Sequence, residues 1–365
     1  MVLMGIVLLY GLLLLYFTRA FLRLPTSKIT NELPNRDVSI IVCARNEANH
    51  IATCLQGIVL QDYPPQNLEI IFVNDASSDN TLSIATEILQ RGKIPFHIIN
   101  HKEKEGKKKS LSEAIDLAKH PFIITRDADT HSRSSQWLKA MMQMQSSKES
   151  DFIVAPIAMT NADGLLWALQ AVENNILQVI SGGSNALGKA FLCSGANLGF
   201  TKSIFHRCGG YSGHRHIDSG DDVLLLADVK KIKGAGIHFL KSPEVIVDTY
   251  ACKTYSALLS QKIRWASKFK YQSGFLNLFL ALLTFVTNAA WLAGVCTLFF
   301  SNAVAVGTSL LLLIKLCIDF FILFVASGFI KTKNIAVYAL PALCLYPLYA
   351  CVVAVASLFI QPRWK

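Results

Sequence analysis

Four stretches of this chain are apolar almost without a break. Between the first and the second, short apolar runs alternate with polar segments of helical period. The four are Met1–Phe17, Gly274–Phe300, Asn302–Ile330 and Asn334–Ile360. The last three each exceed the roughly 20 residues that cross a hydrocarbon core, and Ser301-Asn302 leaves room only for a tight turn between two of them. The first stretch lacks a basic flank before it and a small-residue cleavage site after it, so it reads as an uncleaved anchor rather than a signal peptide. Four spans are therefore expected. Pro341 and Pro347 leave the last one open to being a kinked, re-entrant or interfacial element.

Between these stretches the period changes. Val38–Ala44 (VSIIVCA), Leu68–Asp75 (LEIIFVND), Phe96–Asn100 and Phe122–Asp129 (FIITRDAD) read as buried strands. Glu47–Leu60, Asp79–Arg91 and Lys109–Lys119 read as the helices between them. This alternation predicts βαβ units and a mostly parallel sheet, an α/β fold. Functional groups in such sheets collect at the carboxyl ends of the strands. Three polar clusters fall there: Arg45-Asn46-Glu47, Asn74-Asp75 and Asp127-Ala128-Asp129.

Composition sharpens the division. Of the 365 residues, 52% are apolar and only 16% are charged, with a mean hydropathy of +0.39; soluble domains average about 25% charged. The deficit is local. Residues 1–18 and 334–360 carry no charged side chain, and 274–330 carry only Lys315 and Asp319. A wholly soluble enzyme is excluded, and so is a bundle that is membrane throughout, because the middle of the chain is long enough for a sizeable core of its own. The nine cysteines form no CxxC pair, which argues against a zinc site or a disulfide framework.

The net charge of +10 also carries topology. Arg19, Arg23 and Lys28 after the first span, Lys262, Arg264, Lys268 and Lys270 before the second, and Lys331 and Lys333 after the third put the central domain in the cytoplasm. A fourth crossing leaves Arg363 and Lys365 outside, against the rule. Lys315 and Asp319 are one helical turn apart and are expected to pair on one face, more as a structural tie than as a pathway.

The chemistry lies in acids. Asp127 and Asp129, one residue apart at a strand end, are expected to share a face and address one cation. Mg²⁺ or Mn²⁺ suits such a site, being held by a few carboxylates and by substrate phosphates. No GxxxxGK[ST] loop and no GxGxxG follow the first strand, so P-loop hydrolysis and dinucleotide redox chemistry are poorly supported. Lys102–Lys109 (KEKEGKKK), a mixed-charge loop with a basic end, reads first as solvated and second as lying near phosphates or anionic lipid headgroups. Ser219-Gly220-Asp221-Asp222 is expected to deliver an acid pair at a helix N-terminus. Gln261-Lys262-Ile263-Arg264-Trp265 falls in a helical stretch, Thr254–Tyr271, whose spacing sets Gln261, Arg264 and Trp265 on one side and Lys262 elsewhere.

Taken in order, these pieces resemble the membrane-bound family 2 glycosyltransferases with a GT-A nucleotide-sugar domain. The matching segments are VSIIVCARNE (38–47), FVNDASSDNT (72–81), TRDADT (125–130), SGANLGF (194–200), SGDDVLL (219–225) and QKIRW (261–265). The resemblance implies a multi-pass protein of the cell membrane. Its divisions are an anchor at 1–18, a cytoplasmic GT-A domain at 19–253, an interfacial helix bearing QxxRW at 254–273 and a membrane region at 274–361. It implies nucleotide-sugar contacts at Ala44, Arg45, Glu47, Asp75 and Asp127, a metal on Asp129 and Asp127, and catalysis by the pair Asp221 and Asp222, with Asp222 as the base. It assigns Gln261, Arg264 and Trp265 to the acceptor and the diphosphate.

The implied activity is a metal-dependent inverting hexosyl transfer from a nucleotide-diphospho-sugar, a UDP-sugar first, to a lipid or glycan acceptor at the membrane, with no nucleic acid involved. Processive polysaccharide synthesis and a non-catalytic membrane scaffold are the alternatives. The chain departs from the family pattern in three places: Asp221 replaces a Glu, Asn74 stands where a first Asp is frequent, and Ser112 stands where Asn is common.

Overall fold

The computed structural model describes residues 2–214, 217, 219–267, 275–298 and 302–360. They divide into two compact units. One is built from Leu24–Ala158 and Asn185–Tyr250, the other from the described residues within 1–23, 159–184 and 251–360.

The first unit holds the strands: β1 (Val38–Ala44), β2 (Leu68–Asp75), β3 (Phe96–His101), β4 (Phe122–Asp127), β5 (Thr130–Ser132), β6 (Phe152–Val154), β7 (Ile157–Met159, which closes this unit), β8 (Leu198–Thr201), β9 (Ile237–Phe239) and β10 (Val247–Thr249). Seven of them form one sheet in the order β3-β2-β1-β4-β8-β6-β9, and three form a second in the order β5-β10-β7. β1 pairs in parallel with both β2 and β4, so the chain winds to opposite sides of it. Such a switch of winding opens a crevice at the carboxyl edge of the sheet. The register aligns that edge: Ala44 lies opposite Asn74, Cys43 opposite Asp127, and Asp75 opposite His101.

β1 and β2 are apolar on both faces because helices cover both. Ile40, Val42, Ile70, Phe72, Phe122 and Ile124 pack into one core with Ile51, Leu55 and Trp137, each no more than 2% exposed. The helices of this unit are α2 (Ile51–Val59), α3 (Thr81–Arg91), α4 (Lys107–Leu117), α5 (Trp137–Lys148), α7 (Lys202–Arg207) and α8 (Asp221–Val229).

The sequence places β1 and β2 to the residue, and it misplaces element ends where side chains intercept the backbone. The helix expected from Glu47 starts only at Ile51. The amides of Asn46, Glu47 and Ala48 are taken instead by Ser77 Oγ, Thr81 Oγ1 and Asp79 Oδ2, at 3.0, 2.8 and 3.1 Å. The fourth strand stops at Asp127 rather than Asp129, because Thr130 Oγ1 donates to the Asp127 carbonyl at 2.7 Å and closes a turn. Asp129 therefore sits in that turn and does not share an extended face with Asp127.

The second unit is helical: α1 (Val2–Arg23), α6 (Leu165–Ala186), α9 (Tyr255–Ala266), α10 (Phe275–Thr297), α11 (Asn302–Ile330) and α12 (Ile335–Phe359). Four of these are long and apolar enough to cross a membrane, over Leu3–Arg23, Asn277–Thr297, Ser309–Ile330 and Ile335–Phe359. α12 continues through Pro341 and Pro347 as one helix. α6 corrects the expected boundaries. It was counted in the central domain, yet Gly183 packs so tightly on the Phe17 carbonyl of α1 that no Cβ fits between them. Trp167, Ala168, Leu169 and Val172 share a core with Leu323, Ile335 and Ala339. The helix expected over Thr254–Tyr271 spans Tyr255–Ala266, its first turn capped by Thr254 Oγ1 accepting from Ala257 N at 3.2 Å. Lys268, Lys270, Arg363 and Lys365 lie outside the described residues.

Charges inside this unit are paired. Lys315 Nζ meets Asp319 Oδ2 at 2.6 Å, and Tyr10 on α1 donates to Asp319 Oδ1 at 3.3 Å. Lys262 on α9 is buried against Glu173 on α6, with its ammonium 4.4 Å from the centre of the Trp265 ring. The expectation that Lys262 faces away from Gln261, Arg264 and Trp265 holds in part only, since its ammonium folds back over Trp265.

Candidate active site

The carboxyl edge of the large sheet is built from four loops. The loop after β1 is tied to the loop after β2 by the three amide bonds above. Arg45 Nη1 adds a bond to the Asp75 carbonyl at 2.7 Å, and Asn46 Oδ1 accepts from Ser78 N at 2.8 Å. This fixes Glu47, which is part-exposed and pairs with His50 Nδ1 at 2.9 Å. The His50 ring lies 4.5 Å from that of Tyr250.

Asp75 is only 1% exposed. Its Oδ1 accepts from Glu105 N at 2.7 Å and its Oδ2 from Gly106 N at 3.0 Å, with His101 Nδ1 at 3.4 Å. In this structure Asp75 therefore shapes the loop that leads into α4. Gly106 turns that corner at φ +87°, which a side chain rarely adopts. The next residue is Lys107.

Lys107 is the centre of the site. Its Nζ stands 2.7 Å from Asp127 Oδ1 at the end of β4 and 2.9 Å from Asp221 Oδ2 at the start of α8. Burial opposes its charge, but Asp127 and Asp221, then Asp222, outweigh this and hold the ammonium well above the usual lysine value. Asp222 Oδ2 accepts from Gly195 N at 3.1 Å, and its Oδ1 from Val223 N at 2.8 Å. Gly195 is small for a reason. A Cβ there would fall 2.9 Å from Asp221 Oδ2 and 3.3 Å from Lys107 Nζ.

Asp129, half-buried in its turn, is pushed up to about 6, first by lost hydration and then by Asp127 and Glu47, with Lys107 opposing. Behind the turn, Arg126 is buried, donates to Thr130 Oγ1 and Ser132 Oγ, and lies 4.6 Å from the centre of the Trp137 ring. Trp137 in turn donates to Asn197 Oδ1 at 3.0 Å. Burial pushes the Cys43 thiol up, so this neighbour is an inert filler and not a nucleophile.

Of the residues singled out from the sequence, Ala44, Arg45, Glu47, Asp75, Asp127, Asp129, Asp221 and Asp222 all fall on the carboxyl edge of this one unit. Gln261, Arg264 and Trp265 belong to α9 of the helical unit. Lys107 was not singled out, because the KEKEGKKK run reads first as a solvated loop and only second as lying near phosphates. The available signal was positional: the run follows β3, so it too leaves the carboxyl edge. Asn74 turns sideways, its Nδ2 donating to Asn100 Oδ1 at 2.8 Å, and Ser112 bonds back to the Lys108 carbonyl at 2.9 Å.

Comparison with known proteins fits this geometry. The family model described as glycosyl transferase family 2 matches residues 39–209, which take in the carboxyl edge from Arg45 to Gly195. Residues 39–209 thus match a family 2 glycosyltransferase domain. Among curated proteins, the probable glycosyltransferase YdaM of Bacillus subtilis is 27% identical over 247 residues, 66% of this chain and 56% of that protein. The poly-beta-1,6-N-acetyl-D-glucosamine synthase of Staphylococcus epidermidis is 22% identical over 233 residues, 63% of this chain and 53% of that protein. The chain thus spans about half the length of the curated relatives it matches. A solved mannosyltransferase from Pyrobaculum calidifontis, in complex with GDP-Man and Mn²⁺, shares the fold. The TM-score is 0.65 at 19% identity, over 98% of this chain and 99% of that one. The α/β unit is of the GT-A kind, accompanied by four helices of membrane-spanning length.

Proposed function

We propose that this chain is a membrane-anchored inverting glycosyltransferase. It moves a sugar from a nucleotide-diphospho-sugar, a UDP-sugar first, to a lipid-linked or membrane-presented glycan. The carrying observation is Lys107 bridging Asp127 and Asp221 at the carboxyl edge of a mostly parallel sheet, with Asp222 and Asp129 near enough to act on its charge.

Mg²⁺ or Mn²⁺ fits this donor set. Asp129 is poor in hydration and crowded by Asp127 and Glu47, a surplus of negative charge that a divalent cation relieves. Among the described residues no three His, Cys, Asp or Glu side chains converge on one point, so such an ion draws most of its ligands from donor phosphates and water. Asp129 and Asp127 would hold it, and when bound it neutralises charge on the departing diphosphate.

The chain's own groups do the rest. Arg45, Glu47 and the backbone at Ala44 frame the nucleotide, with Asp75 acting through the loop it holds. Asp222 takes the proton from the acceptor hydroxyl as that oxygen bonds to the anomeric carbon and the sugar–phosphate bond breaks. Its carboxylate is aimed by the Gly195 and Val223 amides, while Asp221 is engaged by Lys107. Gln261, Arg264 and Trp265 are assigned to the acceptor and the leaving diphosphate on the QxxRW pattern alone. The Lys/Arg placement around the apolar helices supports a cytoplasmic site.

The test is a screen of nucleotide-sugars with the purified full chain, reading release of nucleoside diphosphate with Mn²⁺ or Mg²⁺. Release from one donor, abolished by chelator, supports the reading. No release from any donor favours a non-catalytic scaffold. Processive synthesis is the second reading, favoured by QxxRW and by the named activity of the staphylococcal relatives. A ladder of long products from labelled donor would establish it over single transfer.

A further inference from the structure

Lys107 is in an unfavourable place for a lysine that only supports its helix. α4 opens with three lysines, 107–109, and no acid in its first turn. The N-terminus of a helix carries partial positive charge and favours anions. The fold nonetheless builds this position with care. Asp75, buried, spends both carboxylate oxygens on the Glu105 and Gly106 amides, and Gly106 turns at φ +87° to start the helix. Gly195 leaves out a side chain where one would press on the ammonium. The result is an ammonium bridging two carboxylates from separate elements, Asp127 at 2.7 Å and Asp221 at 2.9 Å.

A divalent ion held by Asp127 and Asp129 needs the same Asp127 carboxylate. An ammonium on Asp127 Oδ1 takes up one of that group's coordination positions and meets an incoming cation with like charge. The two cations therefore exclude one another unless new anionic oxygens arrive, and a donor diphosphate supplies them. We propose that Lys107 is an exchangeable internal cation. It occupies the acidic site while no donor is bound, and yields Asp127 to the metal by transferring to the diphosphate oxygens.

The consequence is coupling. Metal alone binds poorly, and metal with nucleotide binds well, so the charged site does not collect free divalent ions between turnovers. The proposal rests on the metal-dependent transferase reading of the site.

The experiment is a titration of the purified full chain with Mn²⁺, following free Mn²⁺ by electron paramagnetic resonance, with and without uridine or guanosine diphosphate. The wild type is expected to bind Mn²⁺ alone weakly, and one of the two nucleotides is expected to tighten it by about tenfold or more. Lys107→Gln is expected to bind Mn²⁺ alone about tenfold more tightly than the wild type, with the nucleotide-dependent gain shrinking by a similar factor. Thermal melting reports whether that variant folds. Where it does not, Asp221→Asn, which leaves Lys107 with Asp127 as its anchor, is expected to weaken Mn²⁺ alone by about threefold and to widen the nucleotide-dependent gain by a similar factor; an unchanged gain would overturn the exchange.

If the wild type binds Mn²⁺ with nucleotide but folded Lys107→Gln binds Mn²⁺ alone no more tightly, the exchange proposal is wrong and the transferase reading stands. If no Mn²⁺ binds under any condition, the two fall together.

Discussion

Two clusters of buried charge sit in the two units, and their contrast separates scaffold from chemistry. In the helical unit, Lys315 and Asp319 lie on one turn of α11 with side chains 2% and 4% exposed, and Tyr10 supplies a further bond. One positive charge answers one negative charge. In the sheet unit, Lys107 faces Asp127, Asp221 and Asp222 from separate elements, with Asp129 and Glu47 close by. Its pairs are 12–34% exposed on the acid side. Here negative charge is in surplus and reachable. A neutral, local and sealed pair stabilises; an unbalanced, non-local and accessible cluster is arranged to receive something positive.

The comparison breaks first at Asp129. Asp129→Asn is expected to lower metal-dependent donor turnover by about a hundredfold or more while leaving the melting temperature unchanged or slightly raised. Steady-state release of nucleoside diphosphate checks the first and thermal unfolding the second.

The helical pair predicts the reverse pattern. Lys315→Met or Asp319→Asn alone leaves its partner buried and unpaired, a loss of about 3–5 kcal/mol. Lys315→Met/Asp319→Leu together is expected to cost distinctly less, with turnover per folded molecule unchanged in every case. Unfolding in detergent gives the ranking. A double variant as unstable as either single one would mean that the pair is not simply self-neutralising.

A smaller effect is expected at Gly195. Gly195→Ala presses a methyl against Asp221 and Lys107, at about 1–3 kcal/mol of overpacking, and should reduce turnover as well as stability. The smallest is the pH dependence of the metal-free protein. Asp129 has a folded value of about 6, above the ordinary carboxylate, so its ionisation opposes folding. The stability it contributes in its protonated form is lost as pH rises from about 4 to about 6 and is flat above, worth about 1 kcal/mol after screening. Mn²⁺ added with nucleoside diphosphate should cancel the fall, so its thermal shift is larger at about pH 7.5 than at about pH 5.

Much of this contrast was legible in the chain. The four apolar stretches predicted α1, α10, α11 and α12, and the apolar runs placed β1 and β2, because burial on both faces leaves few polar positions inside a strand, here Ser39 and Glu69, which bond to each other. Asp127, Asp129, Asp221 and Asp222 were legible because strand and helix ends localise them. The losses were tertiary. α6 is amphipathic and looks like any helix of an α/β domain, and only its contact with Phe17 and the α11–α12 core moves it to the helical unit. Asp129 was expected on an extended face, and a single hydroxyl, Thr130 Oγ1, turns it away. Lys107 was hidden in a charge run, since composition does not distinguish a solvated lysine from one flanked by two carboxylates.

The most direct test of the central claim is Asp222→Asn, measured for donor binding and for transfer in the same preparation. The account predicts that binding of Mn²⁺ and the active donor is retained within about threefold, while transfer to acceptor falls by about a hundredfold or more, with melting unaltered. Transfer at the wild-type rate in a folded Asp222→Asn protein would contradict it.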